Sequence, residues 1–544
     1  VSAEHRPRPA PRAAGSPWWR DGVLYQVYPR SFADSDGDGV GDLRGIIDRL
    51  DHVAWLGIDG LWLNPTFPSP NADWGFDVAD YRDVHPDLGT LDDLDALIAA
   101  AGERGIRVLL DLVPNHTSDE HAWFVQARGS RDAPHRDWYV WRDPAPDGSP
   151  PNNWQSIFGG PAWELDEESG QHYLHIFHRK QPDLDWWNDA VRDEFDDILR
   201  FWFDRGIAGF RIDVAHGIVK DRELRDNPEA REDDVAQYRR LGQRPEFSML
   251  RPEVHDVFRR WRALAGARDP EPILIGETWV HDVETLATFY GSGVDELHLA
   301  FNFVFLGATF DAGTLAPVVA RTEALLPEHA WPVWTLGNHD LTRFPTRWGD
   351  GDERRTRLAL MLLLTLRGTP VLYYGDEIGM AQADVPEDRV VDPVGLLRDA
   401  GRRGRDGART PMPWSDEPGA GFTTAGAEPW LPLGDLSANV AGQRADPASV
   451  LNLVRDLIAL RRSGPDLRTG AYEQLEAPGG AWAYRRGERA TVALNLSEAP
   501  VAVGGVHGRV AVGTDRARDG EDVGEAVELA PWEGVVLVSV HAPA

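Results

Sequence analysis

Cysteine is absent from this chain of 544 residues, and lysine is nearly so. Without cysteine there is no disulfide framework, no thiolate nucleophile and no cysteine-bound metal, and the redox compartment is not legible from this source. Lysine occurs only at Lys180 and Lys220, so the basic side chains are almost all arginine. Net positive charge is missing too. The formal charge at pH 7 is −32, the wrong sign for attracting nucleic-acid phosphates or an anionic lipid surface. A neutral small molecule suits it better, and neither a nucleic-acid nor a membrane partner is expected. Long apolar runs are also lacking: none is long enough to span a bilayer, and the opening VSAEHRPRPAPRAAGS has no signal-peptide core. Residues 1–16 read as a disordered tail. The chain does not open on Met, which leaves room for a leader already removed. A cytoplasmic protein is expected, with secretion left open, as a monomer or weak homo-oligomer.

What is present is the composition of a folded globular protein, with 42% hydrophobic and 26% charged residues. Length alone suggests three or four domains at roughly 150 residues each, unless one large barrel absorbs several. Eight short apolar runs recur between helix-like stretches: 24–29, 60–65, 107–116, 209–213, 273–277, 296–303, 331–340 and 369–377. Five of the eight end in His, Asp or Glu, and two more carry Asn next to last. Parallel strands joined by helical crossovers give this order, and a (β/α)8 barrel gathers its functional groups at the strand C-terminal ends. The expected fold is therefore α/β: a (β/α)8 barrel over 17–115 and 186–468. The third and fourth runs stand about ninety residues apart, too far for a simple crossover, so a small domain is expected to be inserted over 116–185. Alternating segments such as AWAYRR, ATVALNLS and GVVLVSV suggest an all-β sandwich over 469–544.

Three strand ends carry carboxylates: Asp213 in GFRIDVAH, Glu277 in ILIGETWV and Asp340 in LGNHD. Singly, each is as well explained as a helix cap or turn residue. Together they meet the needs of glycoside hydrolysis with retention. That chemistry uses one carboxylate to attack the anomeric carbon and one carboxylic acid, roughly 5 to 5.5 Å away, to protonate the leaving oxygen. Arg211 lies two residues before Asp213 and so points to the same side of the strand.

GFRIDVAH, GETW and LGNHD, with DLVPNH upstream, resemble in order the signature segments of the α-amylase family of glycoside hydrolases, over about 18–377. The resemblance implies Asp213 as nucleophile, Glu277 as general acid/base and Asp340 as the carboxylate that fixes sugar hydroxyls. It implies His116 and His339 as hydroxyl-binding histidines. WGFDVADY is similar to the segment in which an Asp, here Asp77, binds the terminal glucose above an aromatic, here Phe76. Most relatives carry Tyr at that aromatic position. GARTPMPW resembles the segment whose arginine, here Arg409, should reach Asp77, closing one end of the site and imposing exo action. QPDLDWWN resembles the QPDLN signature of oligosaccharide-processing members, with Asp185 in place of Asn. Val214, after the nucleophile position, is the type that in relatives leans toward α-1,6 linkages.

DSDGDGVGDLRG, from Asp34, sets carboxylates at alternate positions with glycines between, an oxygen-rich pattern suited to calcium. An EF-hand would need Glu where Gly45 stands. The family resemblance instead implies a structural calcium loop with Asp34, Asp36, Asp38, Asp42 and the Val40 carbonyl as ligands. The function expected is a retaining exo-α-glucosidase of the oligo-1,6-glucosidase-like subgroup, hydrolysing or transglucosylating short α-glucosides. Trehalose synthase or a sucrose-active transferase of the same family are the near alternatives. A non-catalytic transporter-accessory protein is disfavoured by the three retained carboxylates.

Overall fold

Eight parallel strands form where the sequence places its apolar runs: β1 (Leu24–Val27), β2 (Gly60–Leu63), β3 (Arg107–Leu112), β4 (Gly209–Ile212), β5 (Ile273–Gly276), β6 (Leu299–Ala300), β7 (Val333–Thr335) and β8 (Thr369–Tyr373). The computed structural model describes residues 17–396 and 404–539; the tail expected at 1–16 lies outside them. The strands pair in the order β7, β8, β1, β2, β3, β4, β5, β6. A parallel bridge between Phe301 and Val333 joins the two edges, leaving a nearly closed barrel. Almost every strand residue is buried, as a parallel sheet covered by helices requires.

Side-chain alternation then sorts the interior. Leu24, Trp62, Leu109, Ile275, Leu299, Val333 and Val371 fill the barrel as one apolar cluster. Two residues further along their strands, on the same face, stand Gln26, Asn64, Asp111 and Glu277. The apolar plug thus carries a polar layer on its C-terminal side. Gly209 opens β4 because a Cβ there would lie 2.2 Å from the Ile273 carbonyl oxygen.

Three excursions break the barrel's rhythm. The first, between β3 and β4, holds a helix (Ala122–Arg128) and a three-stranded antiparallel sheet of Trp141–Arg142, Gln171–Leu174 and Trp163–Asp166. Trp154, Trp163, Leu174 and Ile176 form its core. The second was not anticipated from the sequence: residues 214–253 separate β4 from the helix Val254–Gly266 and carry a short helix, Ala236–Leu241, with no buried residue. The third follows β8 and ends at the helix Val450–Ser463. Beyond it, a six-stranded antiparallel sheet faces a two-stranded antiparallel sheet of Val501–Gly504 with Ala526–Leu529, and Ala483, Val503, Val510, Val527 and Leu537 pack between them. No helix of the described residues is long and apolar enough to cross a membrane.

Candidate active site

Arg211 organises the barrel mouth. Its guanidinium, 1% exposed, reaches Asp213 at 2.7 Å, Asp111 at 2.8 Å and Glu277 at 3.0 Å. Its place on β4, with acids from β3 and β5 alongside, follows from the in-register pairings Asp111 with Arg211 and Arg211 with Ile275. Three acids around one buried cation exceed the charge it can balance. Burial pushes Asp213 well up; Arg211 opposes this, while Glu277, Asp111 and Asp340 add to it. Asp111 is pushed up to about 7, again chiefly by burial and against Arg211. A buried cluster of this kind retains a proton near neutrality, as acid/base chemistry requires. The backbone N–H of Val214 donates to Glu277 Oε2 at 2.8 Å, an orientation obtained with Val214 at φ 47°, unfavourable for a β-branched residue.

Asp340 lies on the other side of the mouth and is held well below the usual carboxylate range. Burial works against its ionised form, but His339, Arg405 and Arg409 outweigh it. Arg409 donates to Asp340 Oδ1 at 2.9 Å and to the His339 carbonyl at 2.8 Å. This corrects the expectation that Arg409 reaches Asp77. Asp77 is fully buried and spends both oxygens locally, accepting from Ser69 Oγ at 2.7 Å, Ala72 N at 2.8 Å and Asp73 N at 2.9 Å. The side chains that face the cavity are Asp73 and Arg405. Arg405 bridges Asp73 at 2.5 Å, Asp392 at 2.6 Å and Asp340 at 3.2 Å. Trp74 and Gly75, at φ 49° and 105°, make the turn that separates inward Asp73 from buried Asp77.

His116 and Phe76 line the same cavity, with His339 buried against Phe76. The Phe76 ring stacks on that of His339, centroids 5.0 Å apart and planes within 4°. His339 Nε2 lies 3.4 Å from Asp340 Oδ2, and His116 Nε2 lies 3.0 Å from the Phe76 carbonyl. Asp185 does not line the cavity; it accepts from Trp187 N at 3.0 Å at the exit of the inserted segment.

The cavity measures about 550 Å³, within the usual range for small-molecule sites. Its polar lining includes Asp73, His116, Asp213, Glu277, Asp340 and Arg405. Phe158, Val235, Met249, Trp279, Leu306 and Leu341 contribute apolar wall. Val235, Gln237 and Arg240 come from the unanticipated excursion after β4. Of the 22 tryptophans, Trp279 lines this cavity.

At the Asp/Gly loop, Asp34, Asp36 and Asp42 each offer an oxygen within 4.8 Å of the others. Asp42 also caps the helix Leu43–Leu56 through Gly45 N at 2.7 Å. Asp34 accepts from Gly37 N, Gly39 N and the Thr423 hydroxyl. Asp38 stands apart from this trio, accepting from Val40 N at 2.7 Å.

Comparisons with known proteins agree with this geometry. The family model described as alpha amylase, catalytic domain, matches residues 26–470. A protein of Rhizobium meliloti (strain 1021) named probable alpha-glucosidase is 42% identical over 503 residues, covering 88% of this chain and 90% of its own. An oligo-1,6-glucosidase of Heyndrickxia coagulans is 39% identical over 529 residues, covering 89% and 93%. The crystal structure of an alpha-glucosyl transfer enzyme superimposes with a TM-score of 0.90 at 40% identity, covering 96% of this chain and all of that one.

Proposed function

The chain belongs to the α-amylase catalytic-domain family of glycoside hydrolases, and from that premise we propose that it is a retaining, exo-acting α-glucosidase that hydrolyses, and can transglucosylate, short α-glucosides. The observation that carries this reading is the pair Asp213 and Glu277 bound to a single guanidinium, at a cavity lined by the Asp73–Arg405–Asp340 bridge. One shared guanidinium draws the two carboxyls to the same point of the mouth, an arrangement that suits the short separation carboxylate attack needs. With the cluster's single proton on Glu277, Asp213 attacks the anomeric carbon as Glu277 gives that proton to the leaving oxygen. Glu277 then takes a proton from water, or from an acceptor alcohol, whose oxygen displaces Asp213. Asp340, His116 and His339 hold glucosyl hydroxyls, and Phe76 lies against the ring's apolar face. The Asp73–Arg405 bridge leaves room for one terminal glucose and imposes exo action. Val214 lines the leaving side beside Glu277, which supports an α-1,6 preference, and the apolar wall supports acceptors other than water.

Calcium belongs to the same proposal as a structural ion. The all-oxygen donor set of Asp34, Asp36 and Asp42 fits a hard divalent cation. Such an ion would neutralise the loop's mutual repulsion, with the Val40 carbonyl completing the set. Asp38 would act only through its hold on the turn.

Incubation with maltose, isomaltose, trehalose and sucrose, followed by NMR of the products, tests the reading. Isomaltose should be cleaved fastest with α-glucose released first; first release of β-glucose would refute retention. Asp213→Ala should lower kcat on the order of 10⁴-fold with an unchanged melting curve.

A further inference from the structure

Two histidines at the barrel mouth, one beyond β3 and one beyond β7, are held from behind by the same succession of groups. Behind His339, Arg211 pairs with Asp111 at 2.8 Å, Asn64 Nδ2 donates to Asp111 Oδ2 at 3.1 Å, and that same Nδ2 lies 3.2 Å from His339 Nδ1. Behind His116, Lys220 pairs with Asp183 at 2.9 Å, Asn115 Nδ2 donates to Asp183 Oδ2 at 3.2 Å, and that Nδ2 lies 3.1 Å from His116 Nδ1. Gln26 Nε2 reinforces the first, donating to Asn64 Oδ1 at 2.8 Å and standing 2.9 Å from His339 Nδ1. Lys220 reinforces the second by donating to Asn115 Oδ1. No member is more than 4% exposed, so water does not substitute for any of these partners.

The order of donors follows from the group that holds each asparagine oxygen. Lys220 can only donate and holds Asn115 Oδ1, so the Asn115 NH2 turns toward Asp183; Gln26 Nε2 donates to Asn64 Oδ1, which turns the Asn64 NH2 toward Asp111 Oδ2. That NH2 also faces the imidazole, whose Nδ1 must then be the bare acceptor, leaving the proton on Nε2. We infer that Asn64 and Asn115 are positioning residues which lock both histidines as neutral Nε2–H tautomers, each anchored to a buried aspartate that is paired with a buried cation. The tautomer aims a donor where it is wanted. His339 Nε2 is buried with no hydrogen-bond partner in the protein, beside Asp340 Oδ2, placed to share one hydroxyl with that acid. His116 Nε2 then donates to the Phe76 carbonyl, while the Gln181 NH2, 3.1 Å from that nitrogen, spends its own hydrogens on Asp73 and the same carbonyl. Burial also pushes both imidazoles down, although Asp340 faces His339 and both Asp183 and Asp73 face His116. Arg409, Arg211 and Arg405 around His339, and Lys220 near His116, add to the downward push. One of the chain's two lysines thereby acquires a role.

The inference uses the glucosidase reading only for its kinetic consequence. Neutron diffraction from crystals of the unaltered protein at pH 6 and pH 8 should show deuterium on Nε2 and none on Nδ1 of both histidines; deuterium on either Nδ1 overturns it. Asn115→Asp, and Asn64→Asp combined with Gln26→Met so that no second donor faces His339 Nδ1, replace the donor by an acceptor and should force a proton onto Nδ1. Each should lower kcat/KM by about tenfold or more and add a new limb to the pH–rate profile. A folded variant with the parental profile and tautomer would refute the relay. Intact tautomers in a protein that turns over no glucoside would instead count against the proposed activity alone.

Discussion

The barrel mouth and the Asp/Gly loop both crowd acidic side chains together, yet they balance the charge in opposite ways. At the mouth, Asp111, Asp213, Glu277, Asp340 and Asp73 are interleaved with Arg211, Arg405 and Arg409. In the loop, Asp34, Asp36 and Asp42 have no lysine or arginine ion pair among the described residues, and their oxygens take backbone and hydroxyl hydrogens instead. The carboxyl of Asp36 is pushed up even so: the N–H of Asp38 favours its charge, but slight burial and the charges of Asp38, Asp34 and Asp42 outweigh that. A cluster with built-in cations can hold a poised proton and a nucleophile with no added ion. A cluster without them gains most from a cation that arrives from solution.

Removing a cation from the mouth should have the largest effect. Arg405→Ala strips Asp73, Asp392 and Asp340 of a shared buried partner, and truncating one side of such a pair costs about 2–5 kcal/mol. A fall in kcat/KM on isomaltose of roughly 10² to 10³-fold is expected, with relatively better activity on longer chains as the closed end opens. Parental kcat/KM in a folded Arg405→Ala protein would show that the bridge does not bound the glucose site.

This prediction rests on a residue pair that the sequence did not single out, and the reason is physical. All eight strands were legible, because apolar runs ending in polar residues are what a plugged barrel with an active rim requires. The three acids were legible as strand-end carboxylates within the signature segments, and Arg211 by strand parity with Asp213. Asp73 was not: it lies four residues before Asp77 in a turn, and only the positive φ of Trp74 and Gly75 decides which carboxylate faces the cavity. Arg405 was hidden likewise in GRRGRDGART, where composition does not separate one arginine from the next. Residues 214–253 carry no strand pattern to mark them as a wall of the cavity.

The loop offers the middle-sized effect. Chelation should lower the melting temperature by several degrees, since a ligand at a hundredfold excess over its Kd contributes about 2.7 kcal/mol, while kcat stays within about twofold. Asp36→Asn should reproduce part of that loss and blunt the response to chelator. An unchanged melting temperature on chelation would erase the contrast between the clusters.

Asp77 gives the smallest effect and a third way of holding a buried acid, by neutral donors alone. Burial pushes it up to about 6 from an ordinary 3.8, against the hydrogen bonds from Asp73, Ser69 and Ala72. The folded protein therefore binds this proton more tightly than the unfolded chain does, so the contribution of Asp77 to stability falls as pH rises between about 4 and 6 and is flat on either side. Two units correspond to about 3 kcal/mol. The substitution Asp77→Asn removes this titration, although the new amide's NH2 meets one of the backbone or hydroxyl donors and costs roughly 1–3 kcal/mol at every pH. The stability of the Asp77→Asn variant relative to the parent should thus improve by up to about 3 kcal/mol from pH 4 to pH 6 in urea melts and hold steady above. A difference independent of pH would mean that the three donors alone keep Asp77 ionised, making it electrostatically equivalent to the arginine-paired acids of the mouth.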